Sequence, residues 1–432
     1  MAGANHKRKE AGTVADTTTA TTRVPLCERY AVADVDSHII EPADLWTSRV
    51  SSKWGDLVPH VKFHERRAED WWYVGSRKLY GVGAFAQAGW PEFPPSHPRK
   101  LEEALPAAID PHQRLAYMDE VGVYYSVLYP NILGFHSHVF LNEMPHELAT
   151  ECVRAYNDWV TEFCSADPKR LIPTMMMPFW DIEASVAEMK RAYDMGHKGV
   201  LLAARYDKVG FPRLIEDYWE PLLGQAQEMD LSINFHVGFL ASSDDLKAAV
   251  DQSKKLDFTR ESSLNLLGNA QNIAEVVLSG VCHRYPDLKF VSVENGAGWL
   301  PFLGESMDWQ WLNVGAHKDY PDRLLPSEYM RRQIYGMYWF EQEALRPVID
   351  KLADNLMFET DFPHATSLSP GPASESPSPR VVMERSLAGI PEEIVGNVLQ
   401  HTATRLYHLE PPDRRPNGRT NGRTSGPTNG TD

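Results

Sequence analysis

Polar and apolar residues follow two periods along this chain. Short apolar, β-branched or aromatic runs at residues 32–35, 124–129, 171–177, 199–202, 231–235, 289–293, 333–337 and 356–358 have the composition of buried strands. Most are separated by stretches with helical spacing. Residues 111–122 place Leu115, Met118 and Val121 on one face, and residues 143–164 do the same with Leu148, Cys152, Ala155, Tyr156 and Trp159. A third stretch, 181–195, opens on Asp181 as an N-cap and continues with Ile182, Val186 and Met189. Segments 217–229 and 264–278 read as further helices, and 391–399 as a late helix that starts with proline.

Eight strand runs with intervening helices predict an α/β protein with a parallel sheet. Eight is also the number that closes a (β/α)8 TIM barrel, in which catalytic groups sit at the carboxyl ends of the strands. The alternative is an open doubly wound sheet. That fold would bring a glycine-rich phosphate turn after its first strand, where this chain has Asp36-Ser37-His38.

Two segments interrupt the repeat. Residues of about 50–108 form a predicted capping insertion after the first strand, and within it 71–80 reads as strand, tight turn, strand. Trp71, Trp72, Trp90 and Phe93 are then either substrate walls or the packing that seats the cap. The Ser/Pro-rich stretch 365–380 follows the eighth strand as a lid or a surface excursion. Residues 1–25 read as a disordered arm, 26–410 as the barrel and 411–432 as a disordered tail.

Composition narrows the partners. The 432 residues are 43% hydrophobic, enough for a large core. The formal charge of −16 disfavours nucleic acid and anionic membranes. No apolar run approaches the roughly 20 residues of a membrane helix. The first residues lack the apolar core of a signal peptide, so a cytoplasmic chain is expected. Cys27, Cys152, Cys164 and Cys282 have no C-x-x-C spacing, which suits a reducing compartment and argues against a zinc ribbon.

The chemistry gathers where the strands end. Asp36 and His38 close the first run and, two apart on an extended chain, point to one side. The fifth run leads into His236, the sixth into Glu294 and Asn295, and the eighth into Asp361 and His364. Asp36, His38, His236 and Asp361 offer two imidazoles and two carboxylates, a set suited to one divalent metal ion such as Zn²⁺, Mn²⁺ or Fe²⁺. Asp361 is also a candidate to move a proton. Arg205, ending the fourth run, is a candidate for pairing with a substrate carboxylate or for a local ion pair with Asp207.

The Asp-x-His after strand one, the turn Phe235-His236-Val237-Gly238, the run His283-Arg284-Tyr285-Pro286-Asp287-Leu288-Lys289-Phe290 and Glu359-Thr360-Asp361-Phe362-Pro363-His364 resemble the amidohydrolase-related branch of the amidohydrolase superfamily. The resemblance spans residues 30–409. It implies a metal-dependent barrel acting on a carboxylic acid or its derivative, by hydrolysis or by decarboxylation without an organic cofactor. His38, His236 and Asp361 match that family's metal ligands. Two positions depart from it: Asp36 stands where many members have His, and Glu294 where many have a strand-six His. With no Lys ending the fourth strand, a mononuclear site is implied.

The first expectation is hydrolysis of an amide, ester, lactone or thioester through a metal-activated water, with Asp361 or Glu294 taking its proton and Arg205 steadying the oxyanion. The alternative is nonoxidative decarboxylation of an aromatic or unsaturated acid, with Asp361 protonating carbon. A third reading is a non-catalytic barrel with a decayed site. The expected partner is a bulky, largely apolar small molecule with a carboxyl-derived group, and a homodimer is compatible with the sequence.

Overall fold

Each of the eight apolar runs becomes a strand of one parallel sheet. The computed structural model describes residues 24–94, 96–239 and 255–412. The expected arm up to residue 23 and the tail from residue 413 lie outside the described residues. In chain order the strands are β1 (Ala33–His38), the cap strands β2 (His60–His64), β3 (Glu69–Val74) and β4 (Arg77–Gly81), then β5 (Tyr125–Tyr129), β6 (Leu171–Pro173), β7 (Gly199–Leu202), β8 (Ser232–His236), β9 (Phe290–Val293), β10 (Ile334–Tyr338) and β11 (Leu356–Phe358).

The large sheet runs β6-β5-β1-β11-β10-β9-β8-β7. Its two ends meet just beyond β6. There Met175 N–H donates to Gly199 O at 2.9 Å, and Leu201 N–H donates to Met175 O at 3.1 Å. These bonds close the TIM barrel. Strands buried on both faces explain why the runs are mostly apolar rather than strictly alternating. β5, for example, has no exposed residue.

The cap is a three-stranded antiparallel sheet, β2-β3-β4. The turn between β3 and β4 uses Gly75 at φ 58°, a left-handed conformation that glycine adopts without a Cβ penalty. Trp71 and Trp72 are buried as packing residues. Trp72 meets Trp46 edge to face at 5.5 Å, and Trp71 Nε1–H donates to Glu69 Oε2 at 2.9 Å. Phe93 is half exposed. The cap is tied to the eighth barrel strand's loop by Ala88 N–H donating to Pro363 O at 2.9 Å. The first part of the Ser/Pro-rich stretch packs down: Ser367 and Ser369 are buried, and Leu368 N–H donates to Thr360 O.

His197 sits with no exposed surface just before β7, its Nε2 2.9 Å from Thr161 Oγ1. Burial pushes its pKa from 6.5 down to about 4. The unfolded chain therefore binds this proton near pH 6.5, and the folded chain only near pH 4. Its contribution to stability is complete above pH 6.5 and is lost as pH falls through that window, by about 3 kcal/mol. His197→Gln is expected to flatten the fall in unfolding free energy between pH 6.5 and 4, measured by urea titration at several pH values. An unchanged acid limb would contradict this.

Candidate metal centre

Five strand ends build the site. β1 carries Asp36 and His38, with a register shift against β5 between Asp34 and Ser37 that re-aims the strand end. β8 ends on His236, and Glu294 and Asp361 follow β9 and β11. Asn131 lies just past β5. Glu294 and Asp361 both hold φ of 57°, a left-handed backbone that costs a non-glycine residue about 1–3 kcal/mol and is concentrated at functional sites. Two backbone bonds fix β1 against the β11 end: Asp361 N–H donates to Asp36 O at 2.9 Å and His38 N–H to Phe362 O at 2.6 Å.

Asp36, His38 and Asp361 are wholly buried, and His236 nearly so. His236 Nε2 lies 3.0 Å from His38 Nε2 and 3.5 Å from Asp36 Oδ1. His38 Nε2 is 3.6 Å from Asp36 Oδ1 and 3.7 Å from Asp361 Oδ1. His236 Nδ1–H donates to Val237 O at 2.7 Å, which leaves its Nε2 as a lone pair aimed into the cluster. With a second ring nitrogen 3.0 Å away, either a proton or a cation has to lie between them. Neither carboxylate oxygen of Asp36, nor Asp361 Oδ1, has a hydrogen-bond partner among the described residues. Buried carboxylate oxygens without donors are costly, and a divalent cation satisfies them. The donor set therefore fits the metal.

The electrostatics differ between the two rings: against the lowering effect of burial, Asp36 raises His236 above its usual pKa. Burial, aided by the His364 and His236 rings, pushes His38 well below its usual pKa, so its ring is neutral and free to ligate. Burial raises Asp36 against the lowering effect of His236. Burial and the Asp361 and Asp36 charges push Glu294 well above the usual carboxylate range. Four acidic groups, Asp36, Glu294, Glu359 and Asp361, are crowded into one buried region, where positive charge is needed.

Asp36, His38, His236 and Glu294 bring ligand-capable atoms within 4.8 Å of one another, and so do His38, Glu294, Asp361 and His364. The five strand-end candidates are thus brought together, with His364 beside them. Arg205 is not. Its guanidinium forms a two-point pair with Asp207, both bonds 2.8 Å, about a third exposed and outside the cluster. The 3₁₀ turn Tyr206–Val209 brings the acid back beside it, giving the local ion pair with Asp207 that the sequence offered as the alternative to a substrate or oxyanion contact.

Several residues in the site were not identified from sequence. Thr366 Oγ1–H donates to Asp361 Oδ2 at 2.7 Å. Glu359 Oε2 accepts from Glu294 N–H at 3.1 Å. Arg114, buried in the helix Pro111–Val121, donates to Ala107 O, Ser37 Oγ and His38 O, and so anchors the first strand's end. Asn131 had a readable signal, since it is a polar residue leaving the second barrel strand; Arg114 had none, since it falls on an otherwise helical pattern.

An aromatic wall adjoins the cluster. Phe135 lies 5.4 Å from the His236 ring and 6.0 Å from His38, and stacks on Phe85 at 5.1 Å. Phe85 in turn meets Tyr80 at 4.9 Å and His364 at 5.3 Å.

A family model described as amidohydrolase matches residues 34–409. No curated protein matches the sequence. Among solved structures, an amidohydrolase from Mycobacterium avium subsp. paratuberculosis K-10 is 21% identical, with a TM-score of 0.68 over 88% of this chain and 99% of that one. A 5-carboxyvanillate decarboxylase from Sphingomonas paucimobilis is 17% identical, with a TM-score of 0.59 over 88% and 99%. A second 5-carboxyvanillate decarboxylase, from Novosphingobium aromaticivorans and with bound manganese, is 16% identical, with a TM-score of 0.60 over 88% and 98%. At these identities the structures support the shared barrel.

Proposed function

This chain belongs to the amidohydrolase family of metal-dependent enzymes, and from that premise we propose that it is a nonoxidative decarboxylase of an aromatic or unsaturated carboxylic acid. Asp36, His38, His236 and Asp361 would hold one divalent cation. The observation that carries this reading is the wall of Phe85 and Phe135 against the ligand rings, a surface matched to a flat apolar molecule. Two of the solved relatives above are decarboxylases of such an acid.

When bound, the cation would supply positive charge for the substrate carboxylate and favour ionisation of a neighbouring hydroxyl, which enriches the ring carbon for protonation. The chain's residues do the rest. Asp361, which accepts from Thr366 Oγ1–H at Oδ2, is the group that would deliver the proton. That proton forms a C–H bond at the carbon bearing the carboxylate. The C–C bond then breaks, its electron pair returns to the ring, and carbon dioxide departs. Solvent returns a proton to Asp361.

Hydrolysis keeps one supporting observation. Glu294, with its Oε2 3.7 Å from His236 Nδ1, is a second carboxylate able to take a proton from water. The product distinguishes the two. Manganese-loaded protein incubated with hydroxybenzoates and their esters in D₂O enriched in ¹⁸O is expected to release carbon dioxide and a deuterated arene. An acid carrying ¹⁸O, with no carbon dioxide, would overturn decarboxylation in favour of hydrolysis.

A further inference from the structure

His364 is three residues past the strand-end Asp361. Its ring is almost fully buried and stacks on His38, with centroids 3.9 Å apart and planes inclined by 26°. Its Nε2 is 2.8 Å from Asn131 Oδ1. The orientation of that amide is fixed by its other contacts. Asn131 Nδ2–H donates to Ile39 O at 2.8 Å and to Glu41 Oε2 at 3.3 Å, so only Oδ1 can face the ring. Glu41 is itself buried and locked, accepting from Asn131 N–H at 2.8 Å and Ile132 N–H at 3.0 Å. An amide oxygen can only accept, so His364 Nε2 must carry the hydrogen.

Nδ1 is then left with a lone pair. It lies 2.8 Å from Asp361 Oδ1, yet that oxygen lacks the alignment of a hydrogen bond. Two electron-rich atoms this close, neither making a hydrogen bond to the other, are arranged as ligands of a common cation. The pattern repeats at His236, where one ring nitrogen donates to a carbonyl and the other faces the cluster. A ligating histidine characteristically gives its second N–H to a carbonyl or carboxylate, which fixes the tautomer and ring orientation.

We propose that His364 is a further metal ligand through Nδ1, and that Asn131 and Glu41 are the positioning residues that hold it as the Nε2–H tautomer. The inference rests on the metal reading of the cluster but not on the reaction. It gives the ion three imidazole ligands, with Asp36 and Asp361 as oxygen donors. A shell with this share of nitrogen suits a borderline ion such as Zn²⁺ or Fe²⁺ over Mg²⁺ or Ca²⁺.

The test is ¹⁵N NMR of zinc-loaded protein labelled at histidine, with signals assigned by single substitutions. Three metal-shifted ring nitrogens are expected, His364 contributing Nδ1 with its proton on Nε2. Two metal-shifted nitrogens, or a proton on His364 Nδ1, would overturn the inference in the native chain without any variant. Zinc titration gives the second arm: Asn131→Ala is expected to weaken zinc binding about 10–100-fold and His364→Ala by at least as much. Unchanged zinc affinity in a folded His364→Ala protein would also overturn it. If no zinc binds the native chain, the metal reading itself falls, and with it this proposal. If zinc binds through only two ring nitrogens, the metal reading stands and only the role of His364 is lost. Neither measurement needs a substrate, so failure to decarboxylate leaves the outcome readable.

Discussion

Asp361→Asn is expected to lower kcat about 10³-fold while leaving the fold and the binding of a substrate-like acid largely intact. The magnitude follows from general acid catalysis, which contributes about 10²–10⁴-fold. Asparagine has the same shape, and with its Nδ2 at the Oδ2 position it can donate to Thr366 Oγ1 while its one oxygen takes the Oδ1 position. It offers a ligand oxygen but no transferable acidic proton. The substitution therefore separates two functions that one carboxylate combines. Steady-state kinetics, metal content and a thermal melt on the same preparation check it. The expected pattern is a collapse of kcat, KM changed by less than about tenfold, and metal still bound at saturating concentration. A variant that retains more than a tenth of native kcat with its metal in place would remove Asp361 as the proton donor. In that case Glu294, the other strand-end carboxylate with a left-handed backbone, becomes the group to test.

The frame of the site was legible because barrel strands carry their own signature. β5, β8 and β9 are buried on both faces, so their sequences are largely apolar, with only Ser126, Ser232, Asn234 and Ser292 as small polar exceptions before the rim. The imidazole that ends β8 and the acid that follows β9 mark that rim. Asp36, His38, His236, Glu294 and Asp361 could all be read in this way. What escaped was set by tertiary contact. β2 was missed because His60–His64 has no buried residue and mixes polar and apolar side chains on an exposed cap edge. The helix Leu300–Asn313 was missed because Phe302, Trp309 and Leu312 are exposed, which blurs its apolar face. The stretch 264–278 is interrupted: helices Lys255–Asn265 and Ala270–Leu278 flank a turn at Leu266–Asn269. Arg205 reads the same from sequence whether it points to the rim or to Asp207, and only the 3₁₀ turn decides. His364 depended on Asn131 and Glu41, both more than two hundred residues away, so no local pattern could assign it a tautomer.

Removing the cation is expected to affect stability as strongly as activity, and the reason lies in the cluster's charge. Burial and neighbouring carboxylates push Glu294 and Glu359 well above the usual carboxylate range. Asp36 is raised by burial as well. The apo cluster thus resists carrying its full negative charge, whereas a divalent cation favours that charged state. Because the proposed ligands come from β1, β8 and the β11 end, the ion would bind the folded chain and have no comparable site in the unfolded one. Binding at a thousand times Kd then adds about 4 kcal/mol to unfolding. Chelation is accordingly expected to abolish turnover and to lower the thermal midpoint by several degrees, with both restored by Mn²⁺ or Zn²⁺. In His236→Ala the same chelation should move the midpoint far less, because the affinity that supplied the stabilisation is already lost. The comparison matters more than either value. A metal held elsewhere would leave the chelation shift intact in His236→Ala, and a decayed, non-catalytic site would show no shift even in the native chain. Only an ion held by these strand ends predicts a large shift in the native protein and a small one in the variant.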